Sequence, residues 1–327
     1  MKIDTLKQGC ASGWRRYENN PVIGNELGEC FDVSVLPKTE GGYRMYFSWR
    51  SKKSIAMVES KDGLSWNEPT IVMGPRPESG WEDDVNRISV VFHAGIYWMW
   101  YSGQVCGTLV NEQHILYQDE ETAFSWIGLA TSVDGIHWER RDNAVMKPTQ
   151  PWEKKSLMCP HVLWDENIKK FRMWYSGGGW FEPDAIGYAE STDGINWETY
   201  AGNPVLEAIP GNLWEREKVT ACQVTRYEDW YYMFYIGFED IDKARINLAR
   251  SRDGIENWER HPDNPIIVGG RAGSWDCEAA YKPFAIYERE NDRWILWYNG
   301  RRAFVEQIGV AFHDGADLGF DKQGGRG

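Results

Sequence analysis

The stretch 171–197, FRMWYSGGGWFEPDAIGYAESTDGINW, is the unit from which most of this chain is built. It reads as a strand over 171–176, a loop, a second strand over 185–190 and an Asp-Gly turn closing on Trp197. Related copies are YRMYFSW…SIAMVESKDGLSW at 43–66 and YWMWYSG…WIGLATSVDGIHW at 97–138. Two more are YYMFYIG…RINLARSRDGIENW at 231–258 and WILWYNG…QIGVAFHDG at 294–315. The copies start roughly 60 residues apart, one of them lengthened by an insertion, and such a period with several strands per unit signals blades set radially. Five copies predict five blades.

Between the copies lie five further segments that read as inner strands: 29–38, 83–95, 156–166, 218–229 and 278–288. Each blade then has four antiparallel strands. The last copy ends at His313-Asp314-Gly315 without its own Trp and Asn-Pro segment, while SGWRRYENNPVIG at 12–24 matches the segment after the turn in the other copies. The N-terminus is therefore expected to supply the missing outer strand and pair two edges that would otherwise be exposed. The predicted fold is all-β, a single five-bladed β-propeller over 1–327, closed by its N-terminal strand.

The bulk composition narrows the chemistry. Nineteen Trp and 14% aromatic residues suit packed sheets and sugar binding. A net charge of −13 disfavours nucleic acid, whose phosphates need basic neutralisation. No apolar run reaches the ~20 residues of a membrane span, and the first residues do not read as a signal peptide. The six Cys show no zinc spacing; Cys30, Cys159, Cys222 and Cys277 sit near corresponding strand starts and read as reduced, buried residues of a cytoplasmic protein. Oligomeric state is not legible.

Chain direction places a site. All inner strands start at one end of the axis, and strand alternation returns the loops 49–53, 104–125, 178–184, 238–243 and 301–306 to that end. The long insertion at 104–125 is expected to be a lid or a subunit contact. The Asp-Gly turns point the other way, and their Asp and Gly serve the turn itself.

Asp32 breaks the repeat, because other blades have Arg87, Cys159, Ala221 and Tyr281 at its position. It is read as a carboxylate pointing into the funnel. Asp84, Glu217 and Glu278 each lie three residues after a Trp, which brings three more carboxylates to comparable heights. Glu215, Glu217 and Lys218 crowd one strand start, an arrangement that tunes an acid, with Glu217 nearer the strand. Arg87, His161, Tyr281 and Lys282 are candidate hydrogen-bonding groups, Lys218 and Arg301 candidate cations, and Trp49 and Trp180 candidate stacking surfaces. No phosphate loop, HExxH pair or GxSxG elbow occurs, so no metal site is predicted.

With five blades and an inner-strand Asp in the first, the chain resembles the five-bladed propeller glycosidases of families 32, 43, 62 and 68 and the related family 130 mannoside phosphorylases. The resemblance implies Asp32 as general base or nucleophile and Glu217 as the fourth-blade acid; Asp84, from its spacing after Trp81, is read as a further catalytic carboxylate. The third-blade Asp-Pro of family 43 reads Met158-Cys159-Pro160-His161 here, and the family 32 Asn-Asp-Pro-Asn-Gly and Arg-Asp-Pro motifs are missing. The expected activity is hydrolysis of furanosides (fructosides or arabinosides) or short oligosaccharides by a carboxylate pair. Phosphorolysis with cations from Arg87, His161, Lys218, Lys282 and Arg301, and sugar binding without turnover, are the alternatives. No cofactor is expected beyond the structural calcium in the axis that the resemblance allows.

Overall fold

Four of the five Asp-Gly turns, all but the last at Asp314-Gly315, are built the same way. In the first, Asp62 Oδ1 accepts the N–H groups of Leu64 and Ser65, at 2.9 and 2.8 Å, while Ser60 Oγ accepts from Gly63 N–H. Asp134, Asp193 and Asp253 repeat the pattern. These bonds satisfy backbone donors that the turn would otherwise strand, so the motif is structural. The computed structural model describes residues 9–105, 122–179, 183–240 and 243–321.

The protein is all-β and made of antiparallel sheets. Strand β1 is Arg15–Arg16, followed by β2 (Cys30–Pro37), β3 (Tyr43–Trp49), β4 (Ser54–Ser60) and β5 (Thr70–Met73). Then come β6 (Asp84–His93), β7 (Ile96–Val105), β8 (Phe124–Ser132) and β9 (Glu139–Arg140). The third group is β10 (Ser156–Asp165), β11 (Lys170–Gly178), β12 (Ala185–Ser191) and β13 (Glu198–Thr199). The fourth is β14 (Lys218–Tyr227), β15 (Trp230–Phe238), β16 (Ala244–Ser251) and β17 (Glu259–Arg260). The last is β18 (Ala279–Glu288), β19 (Arg293–Arg302) and β20 (Val305–Asp314).

Strands β2 to β5 pair in order, as do β14 to β17. Strands β6 to β9 and β10 to β13 form two such meanders, joined by one parallel pairing of Ser125 with Ser156. In the last sheet the order is β1-β20-β19-β18, with Arg15 opposite Phe312 and Arg16 opposite Ala311. The inner strands touch in sequence, β2 to β6, β6 to β10, β10 to β14 and β14 to β18, and β18 touches β2.

The core is divided into layers between neighbouring sheets. Val33, Met45 and Phe47 pack on Ile295, Trp297 and Val310, for example, and Trp14 from the N-terminal segment packs with Phe234, Trp294 and Leu296. Tryptophans on the second strands bolt the sheets together. Trp100, Trp174 and Trp297 are fully buried, and each donates its Nε1–H to the turn carbonyl of the next sheet, at Gly194, Gly254 and Gly63. Each side chain combines a large apolar contact with a satisfied N–H.

One irregularity recurs on every inner strand and positions the site. The pairing register slips at Phe31/Val33, Asn86/Ser89, Met158/His161, Thr220/Gln223 and Tyr281/Phe284. At the slip a non-glycine residue adopts left-handed backbone: Asp32 (φ 53°), Arg87 (54°), Cys159 (53°), Ala221 (41°) and Lys282 (51°). This corrects the equivalence drawn from the sequence, because Lys282, not Tyr281, stands in the position of Asp32. The bulge re-aims a side chain toward the axis at an energetic cost of about 1–3 kcal/mol. The preceding sheet supports it: the bulge N–H groups of Asp32, Arg87, Cys159 and Ala221 donate to Asn299 Oδ1, Ser48 Oγ, Ser102 Oγ and Ser176 Oγ at 2.9–3.1 Å. In the fourth sheet Ile236 occupies the corresponding place in Tyr-Ile-Gly, which has no side-chain acceptor to offer Lys282.

Candidate active site

Asp32 is 7% exposed, although it is a carboxylate at the centre of a protein. Its Oδ1 lies 2.8 Å from Lys282 Nζ, and its Oδ2 lies 3.9 Å from Arg87 Nε. Among the described residues, Oδ2 accepts no hydrogen bond. Arg87 also contacts the Met158 sulfur. A buried charge is tolerated only when compensated, and here two cations from different sheets do that while leaving one oxygen available.

Phe31, the neighbour of Asp32, is a platform for the adjoining charges. The Arg50 guanidinium sits 4.2 Å from its ring centroid and Lys282 Nζ 5.3 Å away. Arg50 extends the cluster by pairing with Glu306 at 2.7 Å and approaching Glu29 at 3.8 Å. Tyr281 donates its hydroxyl to Glu306. Burial raises the Glu306 pKa, but Arg50 and Lys282 outweigh it and hold the carboxyl below its usual range. The Tyr281 hydroxyl is pushed well above the phenol range by burial and by Glu306.

Asp84 opens β6 beside this cluster. Burial pushes its carboxyl above the usual aspartate range, against the pull of Arg50, the Val85 N–H, Arg87 and Lys53. Asn86 Nδ2 donates to Asp84 Oδ2 at 3.3 Å and to Gln104 Oε1 at 2.6 Å. The end of the axis where the inner strands start thus gathers three carboxylates (Asp32, Asp84 and Glu306) among three cations (Arg50, Arg87 and Lys282). One carboxylate is biased toward its protonated form and another is held ionised.

The remaining sequence candidates fall elsewhere. Glu217 is exposed and its side chain makes no hydrogen bond or ion pair among the described residues; only its backbone N–H is engaged, with Phe238 O. Glu278 is exposed, accepts from Ala303 N–H and lies 3.6 Å from Arg301. Lys218 sits 5.9 Å from the Phe238 ring centroid. His161 is buried, with Nε2 at 2.6 Å from Val224 O, and burial lowers its pKa to about 4, so it is a neutral structural group. Trp49 is half-buried, packs against Phe47 and donates to Leu27 O. Trp180 and most of the insertion at 104–125 lie outside the described residues.

Glu215 belongs to a structural series. Its carboxylate accepts from Tyr235 Oη at 2.8 Å and pairs with Arg260 at 2.6 Å. Glu82 with Tyr101, Glu153 with Tyr175 and Asp276 with Tyr298 repeat the pairing. In each the acid follows a Trp, and the Tyr precedes Ser102, Ser176, Ile236 or Asn299 of its strand. The first sheet has Phe47 where the others have Tyr, so it has no hydroxyl for such an acid. Arg50 and Glu306 are the residues sequence reading missed. Both sit in predicted wall loops or at their edge, but neither follows the repeat.

Among the described residues, no group of three His, Cys, Asp or Glu is placed to hold a metal ion, and no helix is long and apolar enough to cross a membrane. The described cysteines Cys10, Cys30, Cys159, Cys222 and Cys277 are free thiols.

Comparisons with known proteins agree with this architecture. The chain is 23% identical over 310 residues to the A type blood N-acetyl-alpha-D-galactosamine deacetylase of Flavonifractor plautii, covering 79% of this chain and 37% of that protein. It is 30% identical over 125 residues to the beta-1,2-mannobiose phosphorylase of Thermoanaerobacter sp. (strain X514), covering 34% of this chain and 39% of that protein. The chain thus spans less than two-fifths of either relative. A thermostable family-43 glycoside hydrolase matches in fold with a TM-score of 0.68 at 18% identity, covering 89% of this chain and 91% of that one. The model of the glycosyl hydrolases family 32 N-terminal domain matches residues 75–300, more than half of the chain, and the chain belongs to that family.

Proposed function

We propose that the chain is a five-bladed propeller closed by its N-terminal strand, and that it hydrolyses a glycosidic bond at the end of the axis where the inner strands start. The cyclic contacts of the inner strands and the pairing of β1 with β20 support the closure. The observation that carries the chemistry is the Asp32 carboxylate, buried between Lys282 and Arg87 with Oδ2 accepting no hydrogen bond among the described residues. Asp32 activates water or attacks the anomeric carbon. Asp84 donates a proton to the leaving oxygen, because its burial favours the protonated form. It takes this role in place of Glu217, whose exposed side chain makes no contact with this cluster among the described residues. Glu306 stays ionised and orients Arg50. The substrate is a furanoside or a short oligosaccharide.

A second reading replaces water by phosphate. Arg50, Arg87 and Lys282 form a cationic group at the same end, and one relative is a mannobiose phosphorylase. A panel of aryl glycosides and natural oligosaccharides, assayed with and without phosphate, separates the two. Asp32→Ala should abolish turnover and Asp84→Asn should lower it at least 100-fold on substrates with poor leaving groups, while Glu217→Gln retains it. Full activity of Asp32→Ala would overturn both readings.

A further inference from the structure

The inner strands run from the charged end to a second opening at the far end of the axis. There, a cavity of about 630 Å³ is lined by their C-terminal halves. His161, Gln223 and Phe284 line this cavity and also a narrow space of about 40 Å³ that reaches Asp32, Arg87 and Lys282. That layer is tied in place, since His161 bonds Val224 O and Gln223 bonds both backbone groups of Ala285. The far cavity is therefore a compartment of its own, and the glycosidase proposal uses none of it.

Its size is that of a small-molecule site. Buried Val35, Val90, Val162 and Ala285 line its depth, and the rings of Trp164 and Tyr287 are only part-buried along its side. Phe92, also in the lining, is 51% exposed. The charge of the lining opposes that of the chain. Lys38, Arg44, Arg226 and Arg289 face one carboxylate, Glu40, in a protein of net charge −13. Lys38 and Arg44 are paired with Glu59. Arg226 and Arg289 form no ion pair within 4 Å among the described residues, although, against burial, Arg226 helps hold the Asp165 carboxyl below its usual range, and they lie over the Tyr231 and Tyr227 rings, each at 5.5 Å.

From this we infer that the far cavity binds an amphipathic anion, an apolar body seated among the valines and aromatic rings with a carboxylate, sulfonate or phosphate on Arg226 and Arg289. Guanidinium groups held on aromatic faces are preorganised for such oxyanions, and the apolar wall supplies affinity that a bare anion cannot exploit.

The test is a fluorescence titration of the full chain with 8-anilinonaphthalene-1-sulfonate, alongside its neutral counterpart N-phenyl-1-naphthylamine. The sulfonate should bind at one site, and Arg226→Gln with Arg289→Gln should weaken it about tenfold without changing the neutral probe. Both arginines are at the surface, so that variant keeps the fold, and Thr225→Trp should block both probes by filling the cavity. The inference fails if the neutral probe binds wild type as tightly as the sulfonate, if the double variant binds the sulfonate unchanged, or if sulfate alone displaces the probe.

Discussion

Lys282 Nζ lies 2.8 Å from Asp32 Oδ1, joining the bulge of the last inner strand to that of the first. The two residues are far apart in the chain but adjacent in space, because β18 returns to β2. Lys282→Met would leave buried Asp32 with Arg87, 3.9 Å away, as its one ion-pair partner among the described residues. Breaking a buried pair from one side typically costs about 3–5 kcal/mol. Urea unfolding should show a lower midpoint at unchanged slope. The Asp32→Asn, Lys282→Met double variant should recover part of the loss, since it removes the uncompensated charge.

Asp84 gives a pH dependence with a defined sign. Its folded-state pKa is raised by burial, so between the unfolded and folded values the native state binds more protons than the unfolded one. Stability therefore falls as pH rises through that window. The same titration removes the proposed proton donor, and the alkaline limb of the pH–rate profile should follow it. Asp84→Asn should flatten the stability change in that window and cost at least 100-fold in kcat on substrates with poor leaving groups.

Glu215 and Glu217, two residues apart, should behave oppositely. Glu215→Ala strips Tyr235 and Arg260 of their buried partner and should cost about 3–5 kcal/mol. Glu217→Ala touches no side-chain partner and should stay within about 0.5 kcal/mol of wild type. Thermal melting of both variants checks the contrast, and equal destabilisation would contradict it.

The serine supports of the bulges are also separable from chemistry. Ser102→Ala and Ser176→Ala each leave a buried bulge N–H, of Cys159 and Ala221, without its acceptor. A stranded buried donor costs about 1–3 kcal/mol. Ser48→Ala removes the same bond from Arg87, a site residue, and should lower turnover as well as stability. Paired melting and kinetic measurements distinguish the three.

The repeat made the strands and turns legible because both rest on local chemistry. Short runs rich in aromatic and apolar residues read as strands, and Ser-x-Asp-Gly carries its own hydrogen-bond acceptors, so neither needs distant partners. Asp32 was likewise visible as a carboxylate where its counterparts are not. The site was less legible. The bulge adds one residue to each inner strand, which moved the equivalence from Tyr281 to Lys282 and cannot be read from a period of two. Glu217, read as the acid in sequence, proved to be exposed, and its neighbour Glu215 is one of four carboxylates directly following a Trp that bond a strand tyrosine. Arg50 and Glu306 carried no signal, since their pairing depends on the first and last sheets meeting. The all-β class, the repeating unit and the segment able to complete the last sheet were all specified by the chain's own pattern. Which charges share the axis was settled only by the folded arrangement, because electrostatic compensation depends on distance in space, and the two cations that neutralise Asp32 come from two other sheets.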